Sequence, residues 1–217
     1  MLLEHPEHVW RVGWHEDPLA LPPRELRGWN HRFDDPHREF GSLYCSEHPQ
    51  TALREVLADL RPSMPALKEL QELFGPGAED DDVGTVTAVW RHEHALAECR
   101  IQPGDARLID VEDAAVLSDM LERHPVVNAM SRVGMDTLDS IAVRSRERPV
   151  TQAIARELFE QGIDAVKFTS GIDAEACFVL FEGRATLDGT GVASSLSEDV
   201  DELVQVCEEL GLNLQDS

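Results

Sequence analysis

Residues 30–60 constrain this chain more than any other stretch. They read Asn30-His31-Arg32-Phe33, an acidic turn, the strand-like run Phe40-Gly41-Ser42-Leu43-Tyr44-Cys45-Ser46, and then Pro49-Gln50-Thr51-Ala52-Leu53-Arg54-Glu55-Val56-Leu57. Proline suits the first turn of a helix, where its missing N–H has no intrahelical partner to lose, and Thr51 stands where a cap is expected. Pro62 is expected to end that helix. Glu55 lies one turn into it among apolar Ala52, Val56 and Leu60, and Tyr44 is the chain's only tyrosine. If the strand 42–45 runs back past Arg32 and the helix packs on it, Arg32, Tyr44 and Glu55 meet.

Each of these residues has a functional and a plainly structural reading. Arg32 presents a permanent, forked cation that suits a diphosphate or a ribose hydroxyl, or else forms a surface ion pair with Asp34, Asp35 or Glu39. Arg11 is either a second anion contact or the exposed residue of a strand. Tyr44 either stacks on a flat ring and offers its hydroxyl to a ribose, or is a core tyrosine with a satisfied hydroxyl. Glu55 either faces a developing oxocarbenium ion or orients a nucleophile, or it is an exposed helix residue paired with Arg54 or Arg61. Asp59 is the second choice of acid. Ser170 follows a strand and precedes Gly171, so it hydrogen-bonds a phosphate or a leaving-group amide, or is a turn serine. It lacks the glycine on both sides and the base partner of a hydrolase nucleophile elbow. His92 and His94 would share one face of a strand, but no third ligand stands near, so no metal is expected. His31 beside Arg32 is a weak candidate for a substrate contact. The acidic run 79–82 lacks the alternating ligands and central glycine of a calcium loop and reads as a solvated turn.

A chain of 217 residues can bury one good core, which favours one domain over two. No apolar run is long enough to span a bilayer, and the first residues lack the basic start and apolar core of a signal peptide. Cys45, Cys99, Cys177 and Cys207 stand far apart and read as reduced cytoplasmic thiols. The formal net charge of -23 repels phosphate backbones and anionic lipid, so neither nucleic acid nor a membrane is an expected partner. It would attract a basic protein, although solubility alone explains it equally well. Arginine supplies nearly all the cations, so a lone arginine carries little weight.

Along the chain, residues 9–13 read as a first strand and 17–27 as a proline-rich loop. A short helix is expected over 65–74, strands over 85–90 and 106–111, and helices over 113–123 and 126–141, with Pro125 between those two. Pro149 opens a further helix that Gly162 stops, and core strands follow at 164–168 and 177–181. Residues 188–197 read as a Gly/Ser linker. Ser195 and Glu198 resemble a capping box for a last amphipathic helix carrying Leu196, Val200, Leu203, Val204, Cys207 and Leu210. That helix is expected to pack on its own domain, remote from Arg32 and Glu55. The irregular mixture of strands and helices argues for an α+β fold, and no glycine-rich phosphate loop follows any strand.

Arg32, Phe33, the run 41–44 and the Thr51-Ala52-Leu53-Arg54-Glu55-Val56 helix resemble the opening half of a RES domain, a family named for its Arg, Glu and Ser. The run from Gly162 through Phe168-Thr169-Ser170-Gly171 and the strand Ala176-Cys177-Phe178-Val179-Leu180-Phe181 resemble the closing half. Val9-Trp10-Arg11-Val12 resembles the first strand, so the resemblance covers residues 9–181 or so. It implies an α+β fold with a split mixed sheet, similar to the ADP-ribosyltransferase and diphtheria-toxin group, over residues 1–187. A linker and C-terminal helix would fill 188–217. It also implies cleavage of NAD at the nicotinamide–ribose bond, as NAD phosphorylase or NAD glycohydrolase, in the toxin of a bacterial toxin–antitoxin pair. Arg32, Glu55 and Ser170 are then catalytic, and Arg11, Tyr44 and Gly171 bind substrate. No cofactor is implied, since NAD is the substrate and phosphate a possible co-substrate. The implied partner is an antitoxin protein covering the cleft, with a homo-oligomer as a further option. The alternatives are an ADP-ribosyltransferase and a non-catalytic, partner-binding member. Transfer ranks below cleavage because the order Arg, Tyr, Glu, Ser differs from the usual transferase order, in which the glutamate comes last.

Overall fold

The computed structural model describes residues 2–61, 72, 84–145, 147–197 and 200–216. Apart from residue 72, the helix expected over 65–74 lies outside the described residues, as do the acidic run 79–82 and Pro62. The strands are β1 (Val9–Trp14), β2 (Ser42–Ser46), β3 (Thr85–Val86), β4 (His94–Gln102), β5 (Leu108–Asp110), β6 (Ala165–Thr169), β7 (Ala176–Phe181), β8 (Thr186–Ser195) and β9 (Asn213–Leu214). The helices are α1 (Pro49–Leu57), α2 (Ala88–Glu93), α3 (Ala114–Met120), α4 (His124–Arg132), α5 (Ser140–Arg144), α6 (Arg148–Glu160) and α7 (Asp201–Leu210). One seven-stranded sheet runs in the order β5-β6-β7-β2-β1-β4-β8, and β3 pairs with β9 beside it. The β5–β6 pair is parallel and the remaining pairs of the large sheet are antiparallel, so the fold is α+β with a mixed sheet.

Strand alternation divides the core. On one face, Tyr44, Val166, Phe168, Cys177, Val179 and Phe181 pack under α3 to α6. Farther along the same face, Val12 and Leu96 pack under α1 and α7 through Leu53, Leu57, Leu203 and Val206. The middle strands β2 and β7 therefore lie between two helical groups. The opposite face, with Val9, Leu43, Cys45, Cys99, Phe178 and Leu180, is covered by loop residues such as Leu19 and Leu21. Gly13 allows that loop to close, because a Cβ there would come within 2.1 Å of the Pro18 carbonyl oxygen.

Several expectations change. The presumed linker 188–197 is mostly strand: β8 pairs with β4 from Gln102↔Thr186 to Ala95↔Ser195, so the boundary at 187/188 falls inside a strand. Gly and Ser contribute no apolar signal, but an edge strand is held by its backbone ladder. Only Thr85–Val86 of the 85–90 run is a strand, because Thr87 accepts the Trp90 N–H and starts α2. His92 therefore sits exposed on a helix while His94 begins β4, its ring stacked on Trp90 at 4.3 Å and Trp14 at 4.9 Å. Pro125 lies inside the first turn of α4, and that helix stops at Val133 before Gly134 turns at φ 68°. Ser195 does not cap α7. Its N-cap is Val200, without a side-chain bond, and the Ser195 hydroxyl meets the Ser197 hydroxyl at 2.7 Å. Thr51 does not cap α1 either, whose N-cap is His48, and Val56 is 41% exposed rather than part of the packed face.

As expected, α7 packs on its own domain, against α1. Leu203 is fully buried there. Leu203→Ala is therefore expected to cost about 2–5 kcal/mol in urea unfolding, whereas Val56→Ala should stay within roughly 0.5 kcal/mol.

Candidate active site

The two family segments meet where β2–α1 and β6–β7 lie side by side. The β2–β7 ladder runs from Ser42↔Phe181 to Ser46↔Cys177, which brings the start of α1 beside the turn preceding β7. Across that junction the Ser170 hydroxyl donates to Glu55 Oε1 at 2.6 Å. Ser170 is 2% exposed, and its oxygen also accepts the Ile172 N–H at 3.1 Å. With its proton given to Glu55, this hydroxyl orients a carboxylate. Cys177 lies in the same field of Glu55 and Asp173. Burial first, and then those carboxylates, push its thiol well up, so it remains a neutral floor.

Arg32 reaches the same place from the loop before β2. Its guanidinium donates to the Thr169 and Arg144 carbonyls at 3.5 and 3.4 Å and lies 5.5 Å from the centre of the Phe168 ring. Gly171 is beside it: a Cβ there would stand 3.5 Å from Arg32 Nη2. The expected ion-pair partners are engaged elsewhere. Asp34 accepts the His31 N–H at 2.8 Å, fully buried Asp35 accepts the Glu39 N–H at 2.6 Å, and Glu39 pairs with Arg156. Among the described residues no carboxylate lies within ion-pair distance of Arg32. Burial lowers its pKa from the ordinary arginine value, Glu55 acts against that, and Arg148 adds to it.

The loop carrying Arg32 is fastened at both ends. Arg27 forms a two-pronged pair with Glu182 at 2.7 and 2.9 Å, and Glu182 also accepts the Gly41 N–H. Gln152 of α6 donates to the His31 carbonyl at 3.1 Å. The end of β6 is fixed by Glu112, which accepts the Thr169 N–H at 2.9 Å and pairs with Arg144. Burial pushes the Glu112 carboxyl up, yet the bonds from Arg144 and Thr169 outweigh it and hold it below its ordinary value.

Tyr44 stands on the same sheet face, its ring 5.7 Å from His31 and 6.3 Å from Phe168. Its hydroxyl accepts the Phe33 N–H at 2.9 Å and donates to Asp34 at 3.4 Å. The phenol is thus committed within the protein, and burial followed by the Asp34 charge raises its pKa well above the ordinary value. Arg11 points to the opposite face. Its Nε and Nη1 donate to the Pro18 and Tyr44 carbonyls, both at 2.9 Å, next to Cys45 and Cys99. In β1 it is Trp10 and Val12 that take the site's face, so strand parity removes Arg11 from the cluster. Asp59 is exposed on the 3-10 turn after α1, away from Ser170.

Sequence reasoning missed Arg148, the first residue of α6. Its charge acts on both Arg32 and Tyr44, and its Nη1 is buried with no hydrogen-bond partner among the described residues. No sequence signal singled it out: helices α1 to α5 also lack an acid in the first turn, and Glu147 stands at the N-cap of α6. The assembled chemistry is one carboxylate oriented by a hydroxyl in the field of the Arg32 guanidinium, with the Arg148 charge acting on Arg32 in turn. Such a set suits an anionic ligand that develops positive charge at the reacting centre.

The sequence profile of the family described as the RES domain matches residues 8–193. No curated protein matches the chain. Among solved structures, the chain is similar to one described as the crystal structure of the M. tuberculosis MbcT–MbcA toxin–antitoxin complex, at 16% identity and a TM-score of 0.50. The match covers 96% of this chain and 91% of that one. At that identity the likeness speaks for the fold.

The Tyr44 hydroxyl supports the loop that carries Arg32. Tyr44→Phe should leave the Phe33 N–H without its acceptor and cost about 1–3 kcal/mol in chemical denaturation.

Proposed function

The chain belongs to the RES domain family, and from that premise we propose that it cleaves NAD at the nicotinamide–ribose bond, as the toxin of a toxin–antitoxin pair. The observation that carries this reading is the Ser170–Glu55 bond beside Arg32, whose guanidinium has no carboxylate within ion-pair distance among the described residues. NAD has an anionic diphosphate and, at the other end of one ribose, a nicotinamide that is already cationic. Heterolysis of the C1′–N bond returns its electron pair to the nicotinamide ring, which leaves neutral without needing a proton. The ribosyl carbon is left as an oxocarbenium ion.

The chain's residues divide the work accordingly. Arg32 and Arg148 hold the diphosphate with charge-assisted bonds. Glu55, turned by Ser170, presents its carboxylate to the ribosyl cation and stabilises the charge that appears only in the transition state. The Tyr44 ring flanks the ligand as a neutral surface, and Gly171 leaves room beside Arg32. A phosphate or water oxygen then bonds to C1′, giving ADP-ribose 1″-phosphate or ADP-ribose. Assay with and without phosphate separates phosphorylase from glycohydrolase. The likeness to the MbcT–MbcA toxin–antitoxin complex supports an antitoxin protein as the partner, and a partner seated over the gap between the two helical groups would block the ligand's entry.

Expression of the chain without its partner should lower cellular NAD and stop growth; unchanged NAD alongside soluble protein would refute the reading. In the purified enzyme, Arg32→Ala and Arg148→Ala should each raise KM roughly 10- to 100-fold, the equivalent of one or two charge-assisted bonds. Glu55→Gln should leave KM near wild type and lower kcat by roughly 10²–10³, since its charge matters mainly in the transition state.

A further inference from the structure

The turn 170–175 touches α1 at more than Ser170. Asp173 Oδ2 accepts the Thr51 hydroxyl at 2.8 Å and Arg54 Nη1 at 2.9 Å. Thr51, Arg54 and Glu55 stand at i, i+3 and i+4, on one helix face, and all three bind this one turn. The turn is itself closed by one backbone–backbone bond and two backbone-to-side-chain bonds. The Ser170 N–H donates to the Glu175 carbonyl at 2.8 Å, the Ile172 N–H to Ser170 Oγ at 3.1 Å and the Glu175 N–H to Asp173 Oδ1 at 3.2 Å. It behaves as a short stiff arm with two anchors on α1, Ser170 on Glu55 and Asp173 on Thr51 and Arg54.

Arg54 is fixed from its other side by the last helix. Its Nε and Nη2 donate to Glu209 Oε2 of α7 at 2.9 and 2.7 Å, and Gln205 holds the other oxygen of Glu209 at 2.8 Å. The helix expected to be remote from the site is therefore one bridging arginine away from Glu55. Thr51 is fully buried, and the Asp173 and Arg54 side chains are only 15% and 17% exposed, so this pair is shielded, unlike an ordinary surface ion pair.

We propose that Asp173, held by Thr51 and by an Arg54 that Glu209 braces, is the positioning residue that sets the Ser170–Glu55 contact. The inference rests on the reading of Glu55 as the carboxylate that faces the ribosyl cation. Without the second anchor the arm can pivot on α1, and the serine no longer fixes one carboxylate rotamer. A misplacement of about 1 Å at a reacting group costs roughly 100-fold in rate. Ground-state binding, which falls to Arg32 and Arg148, should be spared.

The test uses the full purified chain. Asp173→Asn and Arg54→Met should lower kcat about 10- to 100-fold with KM within about twofold, and Arg54→Lys should recover much of that loss. Glu209→Gln should have a smaller effect in the same direction, while Glu208→Gln, exposed on α7, should match wild type. Amide exchange across 170–175 should rise in Asp173→Asn and Arg54→Met. Wild-type kcat in both variants, or a loss expressed in KM alone, overturns the proposal. Should the wild type turn over no NAD, the reading of the function fails by itself. The exchange measurement still decides the arm, since unaltered exchange at 170–175 in folded Asp173→Asn refutes the anchor.

Discussion

A single 2.6 Å hydrogen bond joins residues 115 apart in sequence, Ser170 and Glu55, and it is the layout of the sheet that makes it possible. The bond forms only because β2 and β7 pair in one register. Ser46 opposes Cys177, and the Glu47 N–H still reaches the Ala176 carbonyl at 3.0 Å as the chain turns into α1. A slip of one residue would send Tyr44 and Cys177 to the opposite face and carry α1 away from the turn 170–175. Side-chain packing on both faces opposes such a slip, because Leu43, Cys45, Phe178 and Leu180 fill one core while Val179 and Phe181 fill another. Packing thus fixes the register, and the register fixes the site.

The second constraint is the siting of charge. Arg32 is drawn into a partly dry gap, where its ring contact with Phe168 and two long carbonyl bonds compensate only part of its lost hydration. Arg148 adds a like charge at the positive end of α6. Neither arrangement favours stability, and both are what an anion-binding gap requires. The surrounding carboxylates do not neutralise them: Asp34 and Asp35 tie down their own loop, Glu112 ties down Thr169 and Arg144, and Glu182 ties down Arg27. The acids near the site are thus spent on holding shape, which leaves Arg32 without a competing partner among the described residues.

Much of this was legible in the sequence, and the failures have physical reasons. Pro49 and the apolar spacing announce α1, and the unbroken apolar run 176–181 announces β7. Arg32, Glu55 and Ser170 could be named because they stand in a recognisable order. Arg11 could be named but not placed, because whether a strand residue faces the site depends on a pairing register that the strand's own sequence does not contain. β8 was hidden because an edge strand of Gly, Ser and Thr is specified by β4 rather than by its own side chains. The Tyr44 hydroxyl was misjudged for a related reason: the Phe33 N–H that occupies it belongs to a loop whose course no local pattern reveals. Arg54 and Asp173 each look like ordinary surface charges until the fold places them together.

The net charge of -23 now acquires a more specific meaning. A long-range field of that sign repels a dinucleotide as it repels nucleic acid, so under the proposed function the field is not what would bring NAD to the gap. Recognition must come at contact distance, from groups whose interaction strengthens as water leaves, and buried guanidiniums behave in that way while exposed ones are screened. This is consistent with where the chain keeps its unpaired charge. Arg156, Arg123 and Arg54 are paired with carboxylates, whereas Arg32 has no carboxylate within ion-pair distance among the described residues. The same acidic surface would favour a basic protein over a small anion at long range. Under the proposed function, outer charge and inner charge would select different ligands, a protein for the rim and a phosphate-bearing molecule for the cleft.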